Sequence, residues 1–219
     1  AQLKNETRAL AQDVLSREPN HVQATLALAA IALREHRSSD AAVFFDRMAE
    51  HAASTKDSAT ANAARFAAAA ALAEVDAEGS LDRFIRVATG GPGSLAARRA
   101  VFSTYVEQGN WAHALDAGES LLKAEESAER RLDLQLGLGE LCFRHLWDIE
   151  NAQKFFEAAL GQDQSNERGL KGLSEVYSAL GDFGRAAGCL IQLAANATQS
   201  GDQAATSLLN IQMAEAWER

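Results

Sequence analysis

The residues able to do chemistry are few and scattered in this 219-residue chain: five histidines, two cysteines, three tryptophans and one glycine-rich run. A metal centre or a general base would need His21, His36, His51, His113 or His145 to have a second ligand one helical turn away. None has one, so the histidines read as surface or capping residues at helix ends and turns. No H-E-x-x-H, G-x-S-x-G or C-x-x-C occurs. Gly90-Gly91-Pro92-Gly93 has the composition of a phosphate loop. However, no strand pattern precedes it and no Lys-Ser/Thr follows, which makes it a helix–helix linker. Cys142 and Cys189 lie far apart, each inside an apolar helical pattern, and are expected as buried free thiols. No catalytic, cofactor or metal site follows from these residues, and the chain reads as a non-enzyme.

The elements that must carry such residues are helices. Alanine fills about a fifth of the chain while valine and isoleucine are scarce, and only two prolines occur. Alanine is the best helix former and the β-branched residues favour strands, so the composition predicts an all-α protein. The formal charge of −9 and a pI near 5.1 exclude sequence-independent nucleic-acid binding, which needs clustered Lys and Arg. No apolar run approaches the roughly 18 residues of a membrane span, so no membrane insertion is expected. The chain starts Ala1-Gln2-Leu3 with no signal-peptide pattern.

Helical periodicity runs nearly end to end, broken by short polar or Gly/Pro segments into about twelve helices of roughly ten to twenty residues. Connections this short make successive helices antiparallel neighbours. Residues 133–166 align with 167–200 at an offset of 34. The offset pairs Leu136 with Leu170, Phe143 with Tyr177, Asp148-Ile149 with Asp182-Phe183, Ala152 with Ala186, and Phe156 with Leu190. Ala41-Ala42-Val43-Phe44-Phe45-Asp46 returns as Ala152-Gln153-Lys154-Phe155-Phe156-Glu157, and Gly109-Asn110-Trp111 echoes Gly181-Asp182-Phe183.

Two helices and a tight turn in a period of 34 resemble the tetratricopeptide repeat, TPR. Tyr177, Gly181-Asp182-Phe183, Ala186, Leu190 and Leu193 fill the family's positions in one repeat. Leu28-Ala29, Ala41, Phe45 and Met48 fill them in another, and Pro19 closes the unit before it. Small residues let paired helices approach, and aromatics fill the wedge between one hairpin and the next. Trp111 and Trp147 are expected to pack between hairpins at their turns, whereas the partner of Trp217 would lie beyond the chain end. The resemblance is strong over 133–200, good over 7–53 and 95–126, and weak over 54–93, with a candidate break at 90–93. Glu140 stands where the family prefers a small residue. The Ala114–Ala152 spacing is four residues longer than 34, which implies an extension near Lys123–Arg130.

The resemblance implies a right-handed α-solenoid of about six antiparallel helix pairs spanning residues 1–219. It also implies that the first helix of each pair lines a concave, ligand-facing surface. The positions carried over are Gln23, Leu26, Ala30, Leu33 and Arg34; Arg99, Ser103 and Glu107; Leu141, Arg144 and His145; and Arg168, Lys171, Glu175 and Ser178. Within an acidic chain this set is rich in Arg and Lys, which would steer an acidic segment or a C-terminal carboxylate into the groove. The alternative is ordinary solvated pairing such as Lys171 with Glu175. The carboxylate clamp of some TPR proteins needs asparagines beside its basic residues and is not supported here.

Residues 3–18 read as a second helix and 203–219 as a first helix, so the array opens and closes on half repeats and is expected to be part of a longer array. The function implied is a non-catalytic scaffold or adaptor that binds a peptide or protein segment. The rival roles are a regulatory arm of a larger signalling or transcription protein, and a module that self-associates through its apolar terminal helices.

Overall fold

The chain is all-α. The computed structural model describes residues 2–89, 94–202, 206, 207 and 209, and among these no residue lies in a strand. Trp217, the remainder of the expected helix 203–219 and the glycines at 90–93 lie outside the described residues. The helices divide between two compact units, Ala1–Gln108 and Gly109–Arg219.

The first unit holds α1 (Gln2–Arg17), α2 (Val22–Arg34), α3 (Ser38–Ser54), α4 (Ser58–Leu72), α5 (Ala77–Ala88) and α6 (Ser94–Glu107), each packed against the next. Its core is thin and alanine-rich. Ala11, Ala24 and Leu28 pack with Val14, Leu15 and Phe44, while Ala42, Ala68 and Leu72 pack with Phe45. The stretch with the weakest repeat register forms the hairpin α4–α5. Two contacts tie it: Phe66 and Phe84 meet edge-to-face at 5.2 Å, and the buried Ser80 hydroxyl donates to the Ala69 carbonyl at 2.8 Å.

The second unit holds α7 (Trp111–Ala124), α8 (Ala128–Leu141), a π turn (Cys142–Leu146), α9 (Ile149–Gln162), α10 (Glu167–Ala179) and α11 (Phe183–Ser200). Its core joins Leu136, Cys142, Ala152, Phe156, Ala159, Leu170, Leu173, Val176, Tyr177 and Ala186. The four extra residues of this repeat lengthen α8 at its N-terminal end, where Ser127 caps the helix by accepting from the Arg130 N–H. Asp148, Asn166 and Asp182 cap α9, α10 and α11 in the same way, accepting from the N–H three residues on at 3.0–3.1 Å.

The small-residue positions of the second helices, Ala41, Ala114, Ala152 and Ala186, are all 0% exposed, as helices in close approach require. Phe156 of α9 shows how close that approach is. A Cβ placed on Gly172 of α10 would lie 2.4 Å from its ring, and one on Gly139 of α8 would lie 2.8 Å away.

Trp147 departs from the expected packing. Its side chain is 71% exposed, and its backbone is left-handed with φ 54°. The cause lies in the preceding π turn. The Asp148 N–H reaches back six residues to the Cys142 carbonyl, whereas in the matching turn the Asp182 N–H reaches back five to Tyr177. The wider loop leaves the indole outside the hairpin interface. Trp111 is half-buried and stacks on His145, with ring centroids 3.7 Å apart.

Candidate partner-binding site

The first helices α8 and α10 pack against each other within the second unit and present their outward residues along two helical stripes. On α8 and the π turn the stripe runs Asp133, Gly137, Glu140, Arg144. On α10 it runs Arg168, Lys171, Glu175, Ser178. Both follow the spacing of three and four that keeps residues on one helix face. The structure therefore brings together Arg144, Arg168, Lys171 and Glu175. His145 lies one position away and is taken up by stacking on Trp111. Leu141, expected on the same surface, is buried at 5% exposure, because it turns inward with Leu136 and Leu138.

The stripes are not simply basic. The Arg168 guanidinium donates to Glu140 at 3.1 Å through Nη2 and 3.3 Å through Nε, and stands 4.0 Å from Asp133. Arg144 stands 4.0 Å from Glu175. These are ion pairs of the solvated kind that the alternative reading offers, but its Lys171–Glu175 pair does not form, and among the described residues Lys171 makes no ion pair. Glu140, where the TPR pattern prefers a small residue, serves as the acceptor for Arg168 rather than as a packing residue. Asp133 and Glu140 are not among the ligand-facing positions carried over from the repeat, although their seven-residue spacing on α8 places them on the face of Arg144. Gly137 lies between them with no atom within 4 Å of where a Cβ would stand, so the middle of the α8 stripe is open.

In the first unit, Arg34 ends α2 on a face that also exposes Gln23, Leu26, Ala30 and Leu33, the two leucines at 41% and 40%. Arg34 makes no ion pair among the described residues. Arg99 on α6 is half-buried and engaged in polar contacts, while Ser103 and Glu107 are exposed. Helices α3, α4 and α5 separate Arg34 from Arg99 in the packing order, so these two do not form one cluster.

The residues that suggested chemistry are in structural roles. The His21 Nδ1 accepts from the Ala24 N–H at 3.3 Å and caps α2, and His113 bonds to Asn110 at 2.8 Å. Cys142 and Cys189 are buried free thiols. Burial, and then the charges of Asp148 and Glu119, push the Cys142 thiol up to about 12. Among the described residues, no three His, Cys, Asp or Glu side chains cluster in a way that could hold a metal ion.

This geometry defines the class of fold, a stack of antiparallel helix pairs built on the TPR pattern, and solved structures share it. The chain is similar to YrrB, described as a TPR protein with an unusual peptide-binding site, at 13% identity over 91% of this chain and 97% of that one, with a TM-score of 0.55. A double mutant of MamA RS-1 matches at 17% identity over 83% of this chain and 97% of that one, with a TM-score of 0.54. BtubC from P. vanneervenii matches at 16% identity over 86% and 85% of the two chains, with a TM-score of 0.50. No family model and no curated protein matches the chain. The chain has the TPR-like helical-repeat fold.

Proposed function

We propose that the chain is a non-catalytic scaffold that binds an acidic protein segment along the outward face of α8 and α10. The observation that carries this reading is the pair of stripes, with Lys171 outside any ion pair among the described residues and Arg168 shared between two solvent-accessible carboxylates. Exposed pairs of this kind contribute about 0–1 kcal/mol, so an incoming carboxylate displaces them at little cost. A ligand carboxylate on Lys171 gains a cation that is not already matched. From there it competes with Glu140 for the fork of Arg168, the geometry that favours bidentate binding. The open position at Gly137 gives an extended segment room against the α8 backbone. YrrB, a TPR protein described as having a peptide-binding site, supports a ligand of this kind on this fold.

The test is affinity capture with the wild type beside the double variant Arg168→Glu, Lys171→Glu, with helicity followed by circular dichroism. Partners retained by the wild type should be lost by the variant at unchanged helicity, and retention should weaken as salt rises. Equal capture by both proteins removes the α8–α10 face as the site.

A further inference from the structure

Arg168 meets carboxylates of its own chain before it meets any ligand. Its Nη2 and Nε both donate to one oxygen of Glu140, at 3.1 and 3.3 Å, and Nη1 stands 4.0 Å from Asp133. The first contact is a hydrogen-bonded ion pair. The second is too long for a hydrogen bond and adds charge alone. Glu140 makes no other hydrogen bond or ion pair among the described residues. Packing does not explain it either, since its side chain is 39% exposed at a position where the repeat pattern asks only for a small residue.

The contact has the chemistry of the one a ligand would make. The Nε–Nη2 edge of an arginine is an edge on which a carboxylate forks, and Glu140 fills it from inside the fold. The charge around it points the same way. On the face of α8 and α10, Asp133, Glu140 and Glu175 oppose Arg144, Arg168 and Lys171, three against three, so the face is neutral within a chain of formal charge −9. An acidic segment therefore gains nothing from long-range steering. Its affinity must come from contact with cations that are vacant or can be vacated. Lys171 makes no ion pair among the described residues, whereas Arg168 is vacated only when Glu140 is displaced.

We propose that Glu140 is a built-in competitor of the ligand: its carboxylate holds the Arg168 guanidinium in place of the ligand's acid and sets how many acids a segment needs in order to bind. One acid reaches Lys171, and a second must win Arg168 from Glu140. The inference rests on the reading that this face takes an acidic segment. It adds an outcome which that reading does not contain, since removing a charged residue from the site tightens binding.

The probe is a fluorescein-labelled peptide of alternating Glu and Gly, titrated by anisotropy against the 219-residue chain at low salt. A solvent-exposed ion pair shifts an equilibrium by up to about fivefold. Glu140→Gln keeps the shape and removes the charge, so it should tighten the peptide about two- to fivefold at unchanged helicity. Asp133→Asn removes the same charge from the same stripe without losing a hydrogen bond to Arg168, and should tighten it less than about twofold. In an Arg168→Gln background, adding Glu140→Gln should change nothing, because the two residues act as a pair. If neither the wild type nor Glu140→Gln binds, or if Arg168→Glu, Lys171→Glu binds as the wild type does, the reading of the face falls and the competitor falls with it. If the wild type binds and Glu140→Gln binds equally or more weakly, if Asp133→Asn tightens the peptide as much, or if the gain survives without Arg168, the competitor alone is overturned and the face stands.

Discussion

Replacing Gly172 by Ala tests the packing on which the second unit depends. In the interior of α10 the substitution gains about 1 kcal/mol of helix propensity. Against this, the new Cβ would lie 2.4, 2.5 and 2.7 Å from three ring atoms of Phe156. The ring is 1% exposed and is hemmed in from α8 as well, because a Cβ on Gly139 would lie 2.8 Å from its Cε1, an atom that Gly172 also faces. Overpacking a site of this kind costs about 1–3 kcal/mol. The net expectation is a loss of about 1–2 kcal/mol at the upper end of that cost. Gly188 of α11 supplies the control, since a Cβ there meets nothing within 4 Å and Gly188→Ala should keep the propensity gain of about 1 kcal/mol. The two variants therefore move in opposite directions for the same change of one methyl group. All three tryptophans fall within Gly109–Arg219, so intrinsic fluorescence during urea unfolding reports this unit. With an m-value of about 2 kcal/mol/M, the midpoints should separate by roughly 1 M. Phe156→Leu in the Gly172→Ala background should recover part of the loss. A Gly172→Ala protein as stable as the wild type, or more so, would refute the close packing of α9 between α8 and α10.

Two further outcomes follow from the ionisable groups. Backbone and side-chain bonds from Arg185 lower the carboxyl of Asp182, and bonds from Thr60 and from Ser165 with Asn166 do the same for Asp57 and Asp163. A depressed carboxylate contributes stability that is complete above its unfolded value of about 4 and is lost as the pH falls through the folded value. Thermal midpoints should therefore drop below about pH 4, and Asp182→Asn should shrink that drop. A flat stability profile from pH 5 to pH 2 would contradict the caps. Cys142, with its thiol pushed up to about 12, should resist a thiol-specific disulfide reagent at pH 8 in the folded protein and react once urea exposes it. Fast labelling in the absence of urea would show that its burial is wrong.

The helical class, the hairpin boundaries and the buried alanines were legible because they answer to a single requirement. Backbones that pack at close range tolerate only small side chains, and the requirement returns at every period, as Ala41, Ala114, Ala152 and Ala186 show. The stretch 54–93 was harder to read because an alanine-rich helix has no distinctive apolar face. There the register is fixed by the Phe66–Phe84 contact and by the Ser80–Ala69 bond, both between residues distant in sequence. The charged face was half legible. Periodicity placed Arg144, Arg168, Lys171 and Glu175 on first helices, but which acid meets which base depends on how α8 lies against α10, and no pattern within one helix encodes that.

This contrast bears on how function is written into a repeat array. Core positions are constrained identically in every repeat, so agreement between repeats reports folding. Solvent-facing positions carry no such constraint, and agreement there reports nothing. The informative positions are those where a repeat abandons its own rule at a cost. Glu140 replaces a small residue with a charge and holds Arg168 between α8 and α10. Trp147 stands where Gly109 and Gly181 stand in their turns, as a left-handed, exposed indole. The first departure is balanced by an ion pair within the fold, so it needs no ligand to explain it. The second is shared with His36 and Lys56, left-handed at φ 56° and 60° just before the caps of α3 and α4, so a non-glycine residue at such a turn lies within the range the array itself uses and calls for no ligand either.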